Sequence, residues 1–188
     1  MLSGLEPAKV LLVDDRPDNL LALEAILDGL GHELVRAQSG EEALKRLLTD
    51  SFAVVLLDVQ MPGMDGFETA QHIKYREKSR ATPIVFLTAG PNDPHQSMRG
   101  YAAGAVDYLA KPFDPWSLRA KVSHLADLYQ RERESARRIE RLTKALEMAH
   151  PVQCRAALSR IRAALDAGET ARAHDEVARL ELLLDGTG

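Results

Sequence analysis

The segment Ala53-Val54-Val55-Leu56-Leu57-Asp58-Val59-Gln60-Met61-Pro62-Gly63-Met64-Asp65-Gly66 joins an unbroken apolar run to a carboxylate and then to a cluster of turn-forming residues. Five apolar residues with no alternation are expected of a strand covered on both faces, which is the setting of a parallel sheet between two layers of helices. Pro62, Gly63 and Gly66 punctuate the loop that follows, and Asp65 is placed to cap a helix starting at Gly66 rather than to bind a metal.

Outward from this segment the pattern repeats. Apolar runs at 9–13, 33–36, 83–87 and 107–109 complete five predicted strands, and helical periodicity fills the intervals. Over 19–30, Leu20, Leu23, Ile26, Leu27 and Leu30 recur at spacings of three and four, with Gly31 ending the helix. Ser39 is a good N-cap for a second helix, with Glu41 and Glu42 in the first turn where the helix dipole favours anions. Further helices are expected over 66–75 and 95–103. The fold class is therefore α/β, a doubly wound five-stranded parallel sheet.

After Lys111 the character changes. No Gly or Pro interrupts 116–149, so one helix of about 50 Å is expected, its first part packed on the sheet. Leu118, Val122, Leu125, Tyr129, Glu132, Ala136 and Ile139 follow a heptad seam that shifts register to Leu142, Leu146 and Ala149, so this extended last helix is a candidate coiled coil. The plainer alternative is a solvated extension. Pro151 breaks the run, and 152–166 and 169–185 form an expected helical hairpin turned at Gly168, with Leu158, Ile161 and Leu165 facing Val177, Leu180 and Leu184. The expected organisation is a core at 1–116, the long helix at 117–149 and the hairpin at 150–188.

Composition narrows the function. Apolar residues make up 45% and charged residues 28%, as in a soluble globular chain. No apolar run approaches the roughly 20 residues of a membrane span, and the start lacks a signal peptide's pattern, so a cytoplasmic location and no membrane partner are expected. Cys154 stands alone and reads as a bystander thiol. Residues 1–116 carry 11 Lys and Arg against 17 Asp and Glu, 117–147 carry 8 against 5, and 148–188 carry 5 against 6. That is not the basic footprint of a nucleic-acid binder, so no direct DNA binding is expected.

In open parallel sheets ligands bind beyond the carboxyl ends of the strands. There Asp14 and Asp15 end the first strand, Asp58 ends the third, Thr88 ends the fourth and Lys111 follows the fifth. Taken singly, Asp14 and Asp15 could cap a helix and Lys111 could be a solvated loop lysine. Together, three acids repel one another unless a cation or protons neutralise them, and an oxygen-only set suits Mg2+. Lys111 adds a point charge and Thr88 a hydroxyl, a combination that suits phosphoryl oxygens.

The runs VLLVDDRPDN, VVLLDVQMPGMDGFE, PIVFLTA and GAVDYLAKPF resemble, in order and spacing, the receiver domain of bacterial response regulators over about residues 8–130. The resemblance implies a flavodoxin-like fold of strand order 2-1-3-4-5. It implies that Asp58 takes a phosphoryl group from the phosphohistidine of a sensor histidine kinase, and that Asp15, Asp58 and the carbonyl of Gln60 bind Mg2+, with Asp14 acting through metal-bound water. It implies further that Lys111 holds a phosphoryl oxygen and that Thr88 and Tyr108 form the switch pair, and Pro112 after Lys111 resembles the family's Lys-Pro element, often a cis bond, that directs the lysine.

Four outputs are open. The chain can signal through protein interaction, as a homodimer through the long helix or with an unknown downstream protein, and catalyse only its own phosphorylation and dephosphorylation. It can be a transcription factor, which the missing recognition helix disfavours. It can be the receiver portion of a longer regulator whose enzymatic or DNA-binding output lies elsewhere; residues 186–188 carry no such motif. A phosphotransfer histidine in the tail is the fourth, with His150 beside a proline and His174 without a supporting pattern. His95 reads as a loop residue.

Overall fold

The computed structural model describes residues 7–88, 107–149 and 151–185, and within the tail it describes side chains at 132–144 and 156–179. The helix expected over 95–103, with His95, lies outside the described residues, as do His150, residues 186–188 and the side chains of Leu146, Ala149, Cys154, Leu180 and Leu184. The chain divides into two compact units, Met1–Arg131 and Glu132–Gly188.

The first unit is built on β1 (Lys9–Val13), β2 (Glu33–Ala37), β3 (Val54–Asp58), β4 (Ile84–Thr88) and β5 (Asp107–Ala110). All pairs are parallel and the order is β2-β1-β3-β4-β5. Every residue of β3 and β4 is buried, as continuous apolar runs demand of inner strands. The ladder extends one residue further than the apolar runs alone suggest. Asp58 pairs with Leu87 and Thr88 with Ala110, so both polar residues are the last rungs of their strands.

Side-chain alternation sorts the helices into two layers. Val55, Leu57, Ile84 and Phe86 share one core with Ala43, Leu44 and Leu47 of α2 (Gly40–Thr49) and Phe67, Ala70 and Ile73 of α3 (Gly66–Tyr75). Val54, Leu56, Val85 and Leu87 share the other with Leu20, Leu23 and Leu27 of α1 (Pro17–Leu27) and Leu118 and Val122 of α4 (Pro115–Ala149). The Ser39 hydroxyl accepts the Glu42 amide at 3.1 Å, and the Asp65 carboxylate accepts the Glu68 amide at 2.8 Å, so both caps stand where the sequence places them.

Helix α1 differs from expectation at both ends. It starts two residues early because Pro17 takes the first helical position, where its fixed φ fits and its missing N–H is no loss. It stops three residues early, because Gly29 as well as Gly31 adopts positive φ, at 79° and 76°. The Arg119 guanidinium of α4 donates to the carbonyls of Ile26 and Asp28, closing the C-terminal end of α1.

The seam on α4 is also divided. Leu118 and Val122 are fully buried against the sheet, Leu125 packs on the same core, and Tyr129 packs on Ala8, Ala53 and Ala126. Those four residues are therefore engaged within their own unit. Glu132 and Ala136 are exposed, and Ile139 and Leu142 are 61% and 44% exposed.

In the second unit, α5 (Pro151–Asp166) begins on the proline itself, and Gly168, at φ 72°, turns the chain into α6 (Thr170–Asp185). Of the expected apolar face, Leu158 and Ile161 are half-buried, Leu180 and Leu184 lie outside the described side chains, and Leu165 and Val177 depart from it. Among the described residues of the pair, Ala157, Ala164 and Ala173 are the buried ones, whereas Leu165 and Val177 are 55% and 36% exposed. Small side chains let two helices approach closely, and the larger ones are then displaced to the flanks. Arg160 bridges the pair by reaching Glu176 at 3.3 Å.

Candidate functional site

Asp14 and Asp15 lie just beyond β1 and Asp58 closes β3, adjacent strands in the sheet. Adjacency at the same sheet edge brings the carboxylates of Asp14, Asp15 and Asp58 together, with one oxygen from each within 4.8 Å of the others. Asp14 is fully buried, Asp58 is 6% exposed and Asp15 is half-buried.

Lys111, just past β5, reaches into this cluster. Its Nζ stands 2.8 Å from Asp14 Oδ2 and 3.1 Å from Asp58 Oδ2. Its backbone amide donates to Thr88 O at 2.6 Å, so the main chain that carries the lysine is fastened to the end of β4. The Lys111–Pro112 bond is cis.

Asp14 accepts further donors: the Arg16 amide at 3.0 Å on Oδ1, and the Asn19 side-chain amide at 2.8 Å on Oδ1 and 3.0 Å on Oδ2. The Gln60 amide approaches Asp58 Oδ1 at 3.5 Å, and Gln60 itself is exposed. Burial pushes the Asp58 carboxyl above its ordinary range; Lys111 pulls it down and the Asp14 charge pushes it up. Desolvation prevails over the lysine.

Three carboxylates and one ammonium leave an anionic pocket of hard oxygen donors. A small divalent cation that keeps several waters fits that donor set, and Asp15 and Asp58 are the acids whose oxygens are least occupied by protein donors.

Thr88 is buried at the end of β4, 8% exposed. Alternation and register place it on the same sheet face as Phe86 and Tyr108, whose rings lie 5.5 Å apart. Tyr108 is half-buried against the core on that face. Thus Asp14, Asp15, Asp58 and Lys111 meet directly, Thr88 closes the neighbouring strand, and Tyr108 lies two residues before Ala110, the partner of Thr88.

One contributor, Asn19, escapes sequence reasoning, and a second, Gly66, is closer to the site than its turn chemistry alone suggests. Asn19 belongs to the run that includes both acids, but a helix starting at Asn19 hides its use. With Pro17 at the first helical position, Asn19 sits within the first turn and its amide meets Asp14. Pro62 and the loop glycines are expected from sequence to shape the pocket, and at Gly66 a Cβ would stand 2.2 Å from Asp58 O. The start of α3 is pressed against the main chain of Asp58, and its amide donates to Val59 O at 3.0 Å.

Comparison with known proteins agrees with this geometry. The family model for the response regulator receiver domain matches residues 10–123. The uncharacterized transcriptional regulatory protein YrkP of Bacillus subtilis (strain 168) is 42% identical over 114 residues, covering 61% of this chain and 47% of that protein. The sensor histidine kinase GacS of Pseudomonas protegens is 36% identical over 152 residues, covering 78% of this chain and 16% of that protein. The chain thus spans about half or less of these relatives. Among solved structures, the chemotaxis protein CheY4 of Vibrio cholerae superposes with a TM-score of 0.60 at 34% identity, over 63% of this chain and 98% of that one. The CheY-like response regulator receiver domain protein of Methanospirillum hungatei JF-1 gives 0.60 at 27% identity, over 67% and 98%. With its parallel sheet of that order and the acidic pocket at its edge, the chain belongs to the response regulator receiver domain family of two-component signalling.

Proposed function

We propose that this chain accepts a phosphoryl group on Asp58 from the phosphohistidine of a sensor histidine kinase and signals through protein interaction. The observation that carries the reading is the placement of Lys111 Nζ between Asp14 and Asp58, with a cation's worth of negative charge still uncompensated around it. A carboxylate oxygen of Asp58 attacks phosphorus, the new O–P bond forms as the P–N bond breaks, and the departing imidazole nitrogen keeps the electron pair. Lys111 then holds a phosphoryl oxygen. Mg2+, when bound, neutralises the charge on the transferring oxygens; Asp15, Asp58 and the Gln60 carbonyl are its ligands in this reading, with Asp14 acting through water.

Thr88 and Tyr108 are the switch pair. The phosphoryl group adds acceptor oxygens, the Thr88 hydroxyl turns to meet one, and Tyr108, on the same face and already against Phe86, moves further in. A small-molecule donor tests the acceptor directly. Acetyl phosphate with Mg2+ should give one base- and hydroxylamine-labile phosphate per chain, and Asp58→Ala should give none. Labelling that persists in that variant refutes the assignment.

The receiver catalyses only its own phosphorylation and dephosphorylation in this proposal, and works in the cytoplasm. For output we favour a homodimer. Among the described residues, Ile139 and Leu142 are the large apolar side chains that α4 leaves exposed beyond the first unit, and their spacing suits a second copy of the helix. Sedimentation of the full chain should give a dimer that Ile139→Asp with Leu142→Asp converts to monomer; a monomeric parent chain refutes it. A second reading, the receiver portion of a longer regulator with an enzymatic or DNA-binding output, is favoured by the chain's covering 47% or less of the length of YrkP and GacS.

A further inference from the structure

We infer that Asn19 is a positioning residue that keeps Asp14 out of direct metal coordination and keeps Lys111 available to Asp58. The inference rests on the reading of Asp58 as the phosphoryl acceptor and adds a residue to which nothing above gives a part in the reaction.

A carboxylate offers about four lone-pair directions. At Asp14, which is fully buried, all four are occupied: Oδ1 accepts the Arg16 amide at 3.0 Å and Asn19 Nδ2 at 2.8 Å, and Oδ2 accepts Asn19 Nδ2 at 3.0 Å and Lys111 Nζ at 2.8 Å. Half of those contacts come from Asn19, and they bring no charge. That has two consequences. No oxygen of Asp14 is left to enter a cation's inner shell, which separates it in role from Asp15 and Asp58. The amide also supplies donors that Asp14 would otherwise draw from its one ammonium partner, so Lys111 can stand between the two acids, at 2.8 and 3.1 Å.

Without the amide, a buried carboxylate loses the nitrogen donor that both its oxygens share and seeks a replacement. The nearest positive groups are a bound divalent ion and Lys111. Cation binding therefore tightens, and Lys111 is drawn toward Asp14 and away from the oxygens it must hold during transfer. Tighter metal and slower chemistry together form a signature that loss of local packing does not produce.

The test uses the full chain with Asn19→Leu, which keeps the branched shape and removes the shared donor, and Asn19→Ser, which is too short to span both oxygens and is tolerated in a first helical turn. Mn2+ affinity is read by electron paramagnetic resonance, and phosphorylation by acetyl phosphate at saturating Mg2+. Both variants should bind Mn2+ more tightly, by about three- to ten-fold, and accept phosphate about ten-fold more slowly, the scale of one or two hydrogen bonds to a charged group. Affinity and rate both unchanged, or both lowered together, overturn the inference. A parent chain that takes up no phosphoryl group overturns the Asp58 reading instead, so the two failures are distinguishable.

Discussion

Replacing Gly66 by alanine tests whether the pocket is held by main-chain contact as well as by charge. The added Cβ would meet Asp58 O at 2.2 Å, Val59 Cα at 2.8 Å and the Asp58 carbonyl carbon at 3.0 Å. Carbon atoms pack comfortably at about 3.5–4.0 Å, so the two backbones must part by roughly 1 Å. None of these atoms is the tip of a flexible side chain. The Asp58 segment is fastened on one side by Val59 N donating to Leu87 O at 3.1 Å, and on the other by Gly66 N donating to Val59 O at 3.0 Å. Overpacking of this kind costs about 1–3 kcal/mol, a large part of a domain stability of about 5–15 kcal/mol. A shift of that size at the nucleophile slows transfer by about 100-fold. Urea unfolding and the rate of phosphorylation by acetyl phosphate read the two effects. Gly31→Ala is the control, because nothing lies within 4 Å of its added Cβ and only the strain of φ 76° applies. It should cost about 1–2 kcal/mol and leave phosphorylation unchanged. Gly66→Ala losing less than about 0.5 kcal/mol and reacting at the parent rate would show that the contact does not matter.

Lys111→Met strands Asp14 and Asp58 without their ammonium, and in the presence of a chelator should cost about 1–3 kcal/mol by urea unfolding, most of it restored by Mg2+. Asp58→Asn should behave in the opposite way. The Asp58 carboxyl is raised by burial above its ordinary 3.8, so the stability linked to its proton is fully present below that value and is lost as pH rises through the folded-state value. Unfolding curves in chelator should therefore show the Asn variant gaining on the parent as pH rises, with the gap widest at neutral pH and closed by Mg2+; a gap that widens toward acid contradicts the desolvation argument. Arg119→Ala removes two hydrogen bonds at the end of α1 and should cost about 1–2 kcal/mol, with faster amide exchange in the last turn of that helix.

The inner strands are legible because burial on both faces leaves an unbroken apolar run, and the acids and the lysine are legible because they stand where those runs stop. Ends of helices are harder. Pro17 and Gly29 each have several local uses, and only packing shows that the first opens α1 and the second helps to close it. Periodicity could not separate two uses of α4, since the spacing of Leu118, Val122, Leu125 and Tyr129 serves a sheet face as well as a coiled coil. In the tail, hydrophobicity directs attention to Leu165 and Val177, whereas the close approach of two helices favours Ala157, Ala164 and Ala173. Asn19 and Gly66 act through distances across the fold, which a linear pattern does not contain.

The eleven residues of α1 are fastened at both extremities: Asn19 grips a buried acid near one end, and the guanidinium of Arg119 holds the carbonyls of Ile26 and Asp28 at the other. About 16 Å of stiff helix lies between. A binding event that pulls Arg119 away uncaps the far end of the helix on which Asn19 rides.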